Sequence, residues 1–174
     1  MKITSSYKVQ IKQYRHIFDD TVRIYRDAVD FLISVCLENW NEISALDGML
    51  LRKSYVENLI HKTKEHPHPK YEFDAVFYKF PSYLRRDAIA CAIGKVSSHK
   101  SSLSNWEASD MTTRGAEPGI PKAGFEFPCM YKTVMYQRTD EYSCKVKVWI
   151  RNTWDWISLQ LRKSDVDYIR RHCA

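Results

Sequence analysis

Lys145, Lys147, Trp149 and Arg151 occupy alternate positions of one short stretch, and Lys132 and Arg138 stand in the stretch before it. In an extended strand, residues two apart share a face. Cations interleaved with an aromatic ring in this way can hold phosphates and stack on a base. A solvated strand face on which Trp149 covers neighbouring lysine stems writes the same pattern. A second cationic group, Tyr83, Arg85 and Arg86, follows Phe80-Pro81-Ser82 at the start of a predicted helix, where free backbone N–H groups also attract phosphate. An ordinary surface helix with basic residues fits that composition equally well.

Patterns for covalent chemistry are scarcer. Metal-dependent nucleases need two or three converging carboxylates, and Asp155, between Trp154 and Trp156, is the one acid in a strand context that invites that reading. A lone strand Asp is ordinarily a hairpin or surface residue. Neither a Gly-x-x-x-x-Gly-Lys-Ser nor a Gly-x-Gly-x-x-Gly phosphate loop occurs, nor a Gly-x-Ser-x-Gly elbow. His66 and His68 alternate with Pro67 and Pro69 and have no third ligand nearby. Five cysteines (Cys36, Cys91, Cys129, Cys144 and Cys173) form an odd set without Cys-x-x-Cys spacing, so neither a disulfide framework nor a zinc knuckle is written. They read as reduced and mostly buried. A cysteine and a histidine brought together in space stay open as a site, without local support. The expectation is a chain with no catalytic and no metal-ligating residues.

These groups must be positioned by a chain of 174 residues that is 44% apolar, enough for one domain or two small ones with a real core. Alternation from Ile3 to Ile11 predicts a half-buried strand with Lys8, Gln10 and Lys12 on its outer face. From about Asp20 to Asn41 the period changes. Phe18, Val22, Tyr25, Val29, Leu32, Cys36 and Trp40 recur at steps of three or four, beside Ile24, Ala28, Phe31 and Val35, which predicts a long amphipathic helix. Asp19, Asp20 and Thr21 supply capping oxygens at its start, and Gly48 ends the region. A second helix is expected from Leu51 to about Glu65 with Tyr55 and Leu59 inward. A third starts at Ser82 as N-cap, turns Leu84, Ala88, Ile89, Ala92, Ile93 and Val96 inward, and reaches Trp106 with a bend near Gly94 or Ser97-Ser98.

Residues 107–124 hold three of the five glycines and two prolines, and read as a linker. Beyond it, two-residue alternation predicts strands over Met130 to Arg138 and Cys144 to Arg151. A tight turn at Asn152-Thr153 leads to a third strand with Ile157, Leu159 and Leu161 inward. Ser164-Asp165-Val166-Asp167 fits a capping box for a last helix. One strand, a helical block and a run of antiparallel strands close most simply as a small barrel whose first and second strands are separated by a helical insertion. The fold class is thus α+β: residues 1–14 a first strand, 15–106 the helical insertion, 107–124 the linker, and 125–174 the remaining strands and a short helix.

The net charge of +6 is uneven. Residues 1–16 carry four bases and no acid, 17–49 a net of −5, 50–80 a net of +2 and 81–174 a net of +5. Any anion-binding surface belongs to the N-terminal strand and the second half, because the first long helix repels phosphate. The alternative function is a protein-interaction module that presents the acidic helix, Asp19 to Asp47. No stretch approaches the roughly 18 uninterrupted apolar residues that a membrane span needs, and no signal peptide is written, so a cytoplasmic protein without a membrane role is expected.

Several stretches together resemble the N-terminal part of OrfB transposon proteins, the TnpB-type RNA-guided endonucleases related to compact type V CRISPR effectors. They are Phe80 through Ile89, Val96-Ser97-Ser98 with Leu103 through Glu107, Ile120-Pro121-Lys122, and Trp154-Asp155-Trp156-Ile157 with Leu161 through Ile169. The resemblance implies a wedge domain, an OB-like β-barrel, interrupted after its first strand by a helical recognition domain. Together these hold a guide RNA and the duplex DNA flanking the target. It places Tyr83, Arg85 and Arg86 against the DNA motif, and Lys122, Lys145, Lys147 and Arg151 against RNA or heteroduplex phosphates. Magnesium and a zinc ribbon belong to the family's C-terminal RuvC-type part, which this chain ends before, so no cofactor is expected here. Missing wedge strands would leave an open barrel edge, with dimerisation through it as one way of covering it.

Overall fold

The computed structural model describes residues 6–12, 16–112 and 114–172. It is an α+β protein of two compact units. One consists of the described residues up to Thr21 together with those from Met130 on, and the other of Val22–Cys129.

The helical unit is organised by α1 (Asp19–Glu38), whose first residues belong to the other unit. Tyr25, Ala28, Val29, Leu32, Ile33, Val35 and Cys36 are buried, as the three-four spacing requires. The expected helix to Asn41 is two helices, because Asn39 leaves helical geometry (φ −115°, ψ 26°) before α2 (Trp40–Ala45) begins. Asn39 is buried and donates from Nδ2 to the Val35 carbonyl and the Tyr71 hydroxyl, both at 2.7 Å, while the Lys70 ammonium donates to its Oδ1 at 2.9 Å. Those bonds pin the His-Pro segment to the end of α1, since a buried amide must be satisfied.

Gly48 does not end the region. It is the first residue of α3 (Gly48–Ile60), with a φ of +78° that favours glycine. The inward residues of α3 are Val56 and Ile60, one position on from the expected Tyr55 and Leu59, and the helix stops five residues before Glu65. The short α4 (Phe73–Val76) was not legible as a helix. Its Phe73 is fully buried, with ring centroids of Phe31, Phe77 and Phe80 at 5.7, 4.7 and 5.5 Å. Edge and tilted pairs of this kind contribute about 0.5–1.5 kcal/mol each beyond burial.

Helix α5 (Ser82–Ala108) is continuous, and it buries all six residues expected to face inward. Pro81 rather than Ser82 holds the N-cap position. At its C-terminus Ser109 bonds back to the Trp106 carbonyl through both N–H and hydroxyl. The Arg114 guanidinium covers the Trp106 ring at 4.4 Å and donates to the carbonyls of Glu107 and Ser109. A cation there also suits the negative end of the helix dipole. The glycine-rich segment after α5 is tied down at Ala123, whose N–H donates to Asp30 at 2.6 Å. Glu126 is held by the Lys95 ammonium and by the N–H groups of Gly124 and Phe125.

The second unit is an open antiparallel sheet in the order β1 (Tyr136–Arg138), β2 (Ser143–Ile150), β3 (Thr153–Gln160), followed by α6 (Lys163–His172). Cys144, Val146, Val148 and Leu159 form its buried face, covered by Ile11, Ile17, Phe18, Met130 and Tyr136 among others. The expected strand over residues 3–11 is reduced, among the described residues, to a bridge between Ile11 and Leu161, with Ile3 outside the described residues. The cause is competition for the backbone. The Gln10 carbonyl accepts from Arg162 N–H and the Lys12 N–H donates to the Gln160 carbonyl, the two bonds that make this bridge, but the Gln10 N–H is diverted to the Asp165 carboxylate at the start of α6. The same competition replaces the capping box, since Asp165 takes Gln10 and Asp167 takes the Tyr142 hydroxyl.

Candidate functional site

The β2–β3 pair is joined by Arg151 and Asn152, with φ of 51° and 58°. Positive φ at both central residues is the I′ hairpin geometry that matches strand twist, and it sets the register. Lys145 stands opposite Ser158, Lys147 opposite Trp156 and Trp149 opposite Trp154, while Gln137 of β1 lies opposite Lys145 on the other side. By alternation these residues share the face that turns away from the Cys144, Val146 and Val148 core. No strand residue on that face is acidic. Asp155 is paired with Val148 and so belongs to the other face, where its Oδ1 accepts the N–H of Trp156.

Lys145 and Lys147 form no ion pair or hydrogen bond through their ammonium groups among the described residues. Two like charges two residues apart, with no counter-ion, raise the local potential. Trp149 and Trp154 form an edge-to-face pair with centroids 5.6 Å apart at 68°, and the Trp149 N–H donates to the Thr21 hydroxyl at 2.8 Å. Thr21 is thereby buried in the sheet unit instead of capping α1 freely. Trp156 is half-buried, and its ring has no aromatic or polar partner among the described residues.

Three expected members leave this face. Arg151 sits in the turn and not on the strand, because the two-residue hairpin needs it at positive φ. Arg138 is paired with Cys144, which puts it on the opposite face. Its guanidinium donates to the carbonyls of Asp140 and Glu141 and closes the hairpin loop. Lys132 lies before β1, in a turn with an isolated bridge to Tyr136. In exchange the register adds Trp156, Trp154 and Ser158. The signal for them was the Trp-Asp-Trp spacing, readable as a strand face only once the turn was placed at Arg151-Asn152.

In the helical unit, the start of α5 separates its three residues. Arg85 is 5% exposed and donates from Nη2 to Glu57 Oε1 at 3.0 Å, with Asp74 Oδ1 3.8 Å from Nη1. Arg85 is therefore an internal ion-pair residue and not an available phosphate contact. Arg86 stays exposed, with Nε 3.4 Å from Glu57 Oε2 and its guanidinium 6.0 Å from the Tyr83 ring. The Lys122 side chain is exposed, and its carbonyl accepts from the Lys95 ammonium.

No group of three metal-ligating side chains occurs among the described residues. Desolvation pushes the Cys36 thiol up to about 12 and raises Cys91 and Cys144, which is the reverse of an activated thiolate. No helix among the described residues is long and apolar enough to cross a membrane.

A family model described as the Aq_aa04 family matches residues 3–150, and the chain belongs to that family. The matched span ends at the last residue of β2 and includes Lys145, Lys147 and Trp149. The chain is also 27% identical over 135 residues to "Uncharacterized protein aq_aa04" of Aquifex aeolicus (strain VF5), covering 71% of this chain and 76% of that protein. No solved structure matches.

Proposed function

We propose that this member of the Aq_aa04 family is a non-catalytic nucleic-acid-binding module, the N-terminal part of an OrfB/TnpB-like RNA-guided DNA endonuclease that holds guide RNA and target-flanking duplex DNA. In this reading the three described strands belong to an OB-like wedge, and the helical unit is the recognition insertion. The observation that carries it is the outer sheet face: Lys145 and Lys147 without a counter-ion, interleaved with Trp149, on a face with no strand carboxylate. Tyr83, Arg86 and Lys122 remain as exposed contacts in the helical unit, whereas Arg85 is spent internally.

The protein-interaction alternative rests on the acidic run Asp19 to Asp47, of which the α1 members contact groups of their own chain while Glu42 and Asp47 stay exposed. Asp19 faces His16 at 2.9 Å, Asp27 pairs with Arg23, Asp30 accepts Ala123 N–H, and Glu38 accepts the Tyr71 hydroxyl.

The test is fluorescence anisotropy with a hairpin RNA and a duplex DNA across a salt series. Each phosphate neutralised contributes about −0.9 to the slope of log K against log salt on duplex. Lys145→Ala with Lys147→Ala is expected to flatten that slope by about 2 and to weaken both ligands. Absence of binding near 20 mM salt, or a slope unchanged in the double variant, overturns the proposal.

A further inference from the structure

We infer that the sheet face of Lys145, Lys147 and Trp156 takes an unpaired stretch of nucleic acid, with one base stacked on the Trp156 indole and the two ammonium groups on neighbouring phosphates. The inference rests on the nucleic-acid reading above and adds the strandedness of the ligand.

The aromatic residues of this face are not equivalent. Trp149 and Trp154 satisfy each other edge to face, and Trp154 is only 9% exposed. Trp156, the next residue of that face along β3, has no ring partner among the described residues, yet it is half-buried and so held in place. A half-buried indole with no ring or cation partner among the described residues can serve as a stacking platform, and every base has a π-face to offer it only when it is not paired inside a duplex. The cations are placed to follow the backbone of such a strand. Lys147 is the direct cross-strand neighbour of Trp156, about 5 Å away between Cβ atoms. Lys145 lies about 7 Å further along the same face.

Opposite Lys145, the Ser158 hydroxyl has no partner among the described residues and can donate to or accept from a base edge. A duplex would meet the same two lysines but would leave Trp156 and Ser158 without a role. Charge alone therefore selects nucleic acid, and the indole selects the unpaired form.

Binding of labelled oligouridylate and oligothymidylate of about 12 nucleotides, a length suited to a small β platform, is compared with a duplex of equal length. The full chain and the variants Trp156→Ala, Trp156→Phe and Lys145→Ala/Lys147→Ala are used. The single strands are expected to bind more tightly than the duplex and to quench tryptophan fluorescence. Trp156→Ala is expected to weaken single-strand binding about 5- to 150-fold while changing duplex binding less than about twofold. Trp156→Phe keeps a ring in the same place and is expected to restore most of the affinity, which separates stacking from misfolding. Duplex binding at least as tight as single-strand binding, or equal losses for both ligands in Trp156→Ala, overturns the inference while leaving the nucleic-acid reading standing. Failure of every ligand to bind at low salt overturns both.

Discussion

Replacing Arg85 separates a residue that holds the helical unit together from one that reads DNA. Its guanidinium makes one charge-assisted bond of 3.0 Å to Glu57 and a looser approach of 3.8 Å to Asp74, with Nε unbonded among the described residues. Arg85→Met keeps an apolar stem of similar length and removes a bond worth about 1.5–3 kcal/mol. Glu57 is not stranded by this change, because it is 19% exposed and keeps Arg86. The expected loss is therefore about 2–3 kcal/mol, below the full range for breaking a buried pair. Glu57→Gln is the harsher change. It leaves a cation buried with only Asp74 beyond hydrogen-bond distance, and should cost about 3–5 kcal/mol. The double variant is expected to be more stable than Glu57→Gln alone, since removing the stranded charge relieves the penalty. Urea unfolding followed by circular dichroism gives the three values by linear extrapolation. RNA and duplex DNA affinities of folded Arg85→Met are expected within about twofold of the parent protein, because a buried guanidinium contributes no exposed phosphate contact. The reasoning is refuted if Arg85→Met changes stability by less than about 0.5 kcal/mol, the scatter of surface substitutions, while duplex affinity falls tenfold.

Two further outcomes are expected. Burial raises the Cys36 thiol from the ordinary 9.0 to about 12, so its contribution to stability is complete below pH 9 and is lost as pH rises towards 12. Between those values stability should fall more steeply in the parent than in Cys36→Ala, by up to about 1.4 kcal/mol per pH unit, and parallel urea midpoints in the two proteins would show the argument to be wrong. At the β2–β3 turn, Arg151 and Asn152 both sit at positive φ. Arg151→Asn with Asn152→Gly supplies the residues that this turn prefers and should stabilise by about 1–2 kcal/mol, raising the thermal midpoint by about 2–8 °C. A lowered midpoint would mean that the hairpin is not of this type.

Helices α1 and α5 were legible because their apolar periodicity is long: all six expected residues from Leu84 to Val96 are buried, and Tyr25, Ala28, Val29, Leu32, Val35 and Cys36 are buried on α1, where Ile33 joins them and Phe31 is only half-buried. The strands from Cys144 on were legible for the same reason at period two, as was the basic and aromatic content of β2, whereas the strand expected over Met130 to Arg138 forms only at Tyr136–Arg138, because residues 133–135 turn and the Met135 and Tyr136 N–H groups bond back to the Tyr131 carbonyl. Less was legible where local signals compete. The capping pattern at Ser164 to Asp167 is locally sound, yet Gln10 and Tyr142 take the two carboxylates. The Phe73 cluster joins rings from α1, α4 and the segment before α5, and no periodicity relates them.

By itself the sequence determined that this is an α+β chain with an acidic first helix, a basic second half and cations alternating with tryptophan on one strand, because periodicity and charge are local properties. Tertiary structure alone decided which cations are already engaged by their own chain. Arg85 and Arg138 look like Lys145 and Lys147 in one dimension. A carboxylate 28 positions away in sequence holds the first, the carbonyls of a hairpin loop hold the second, and the other two are left without partners. It also decided that Trp156 stands beside Lys147, since strand register follows from a two-residue turn whose backbone angles pairing enforces and composition does not announce.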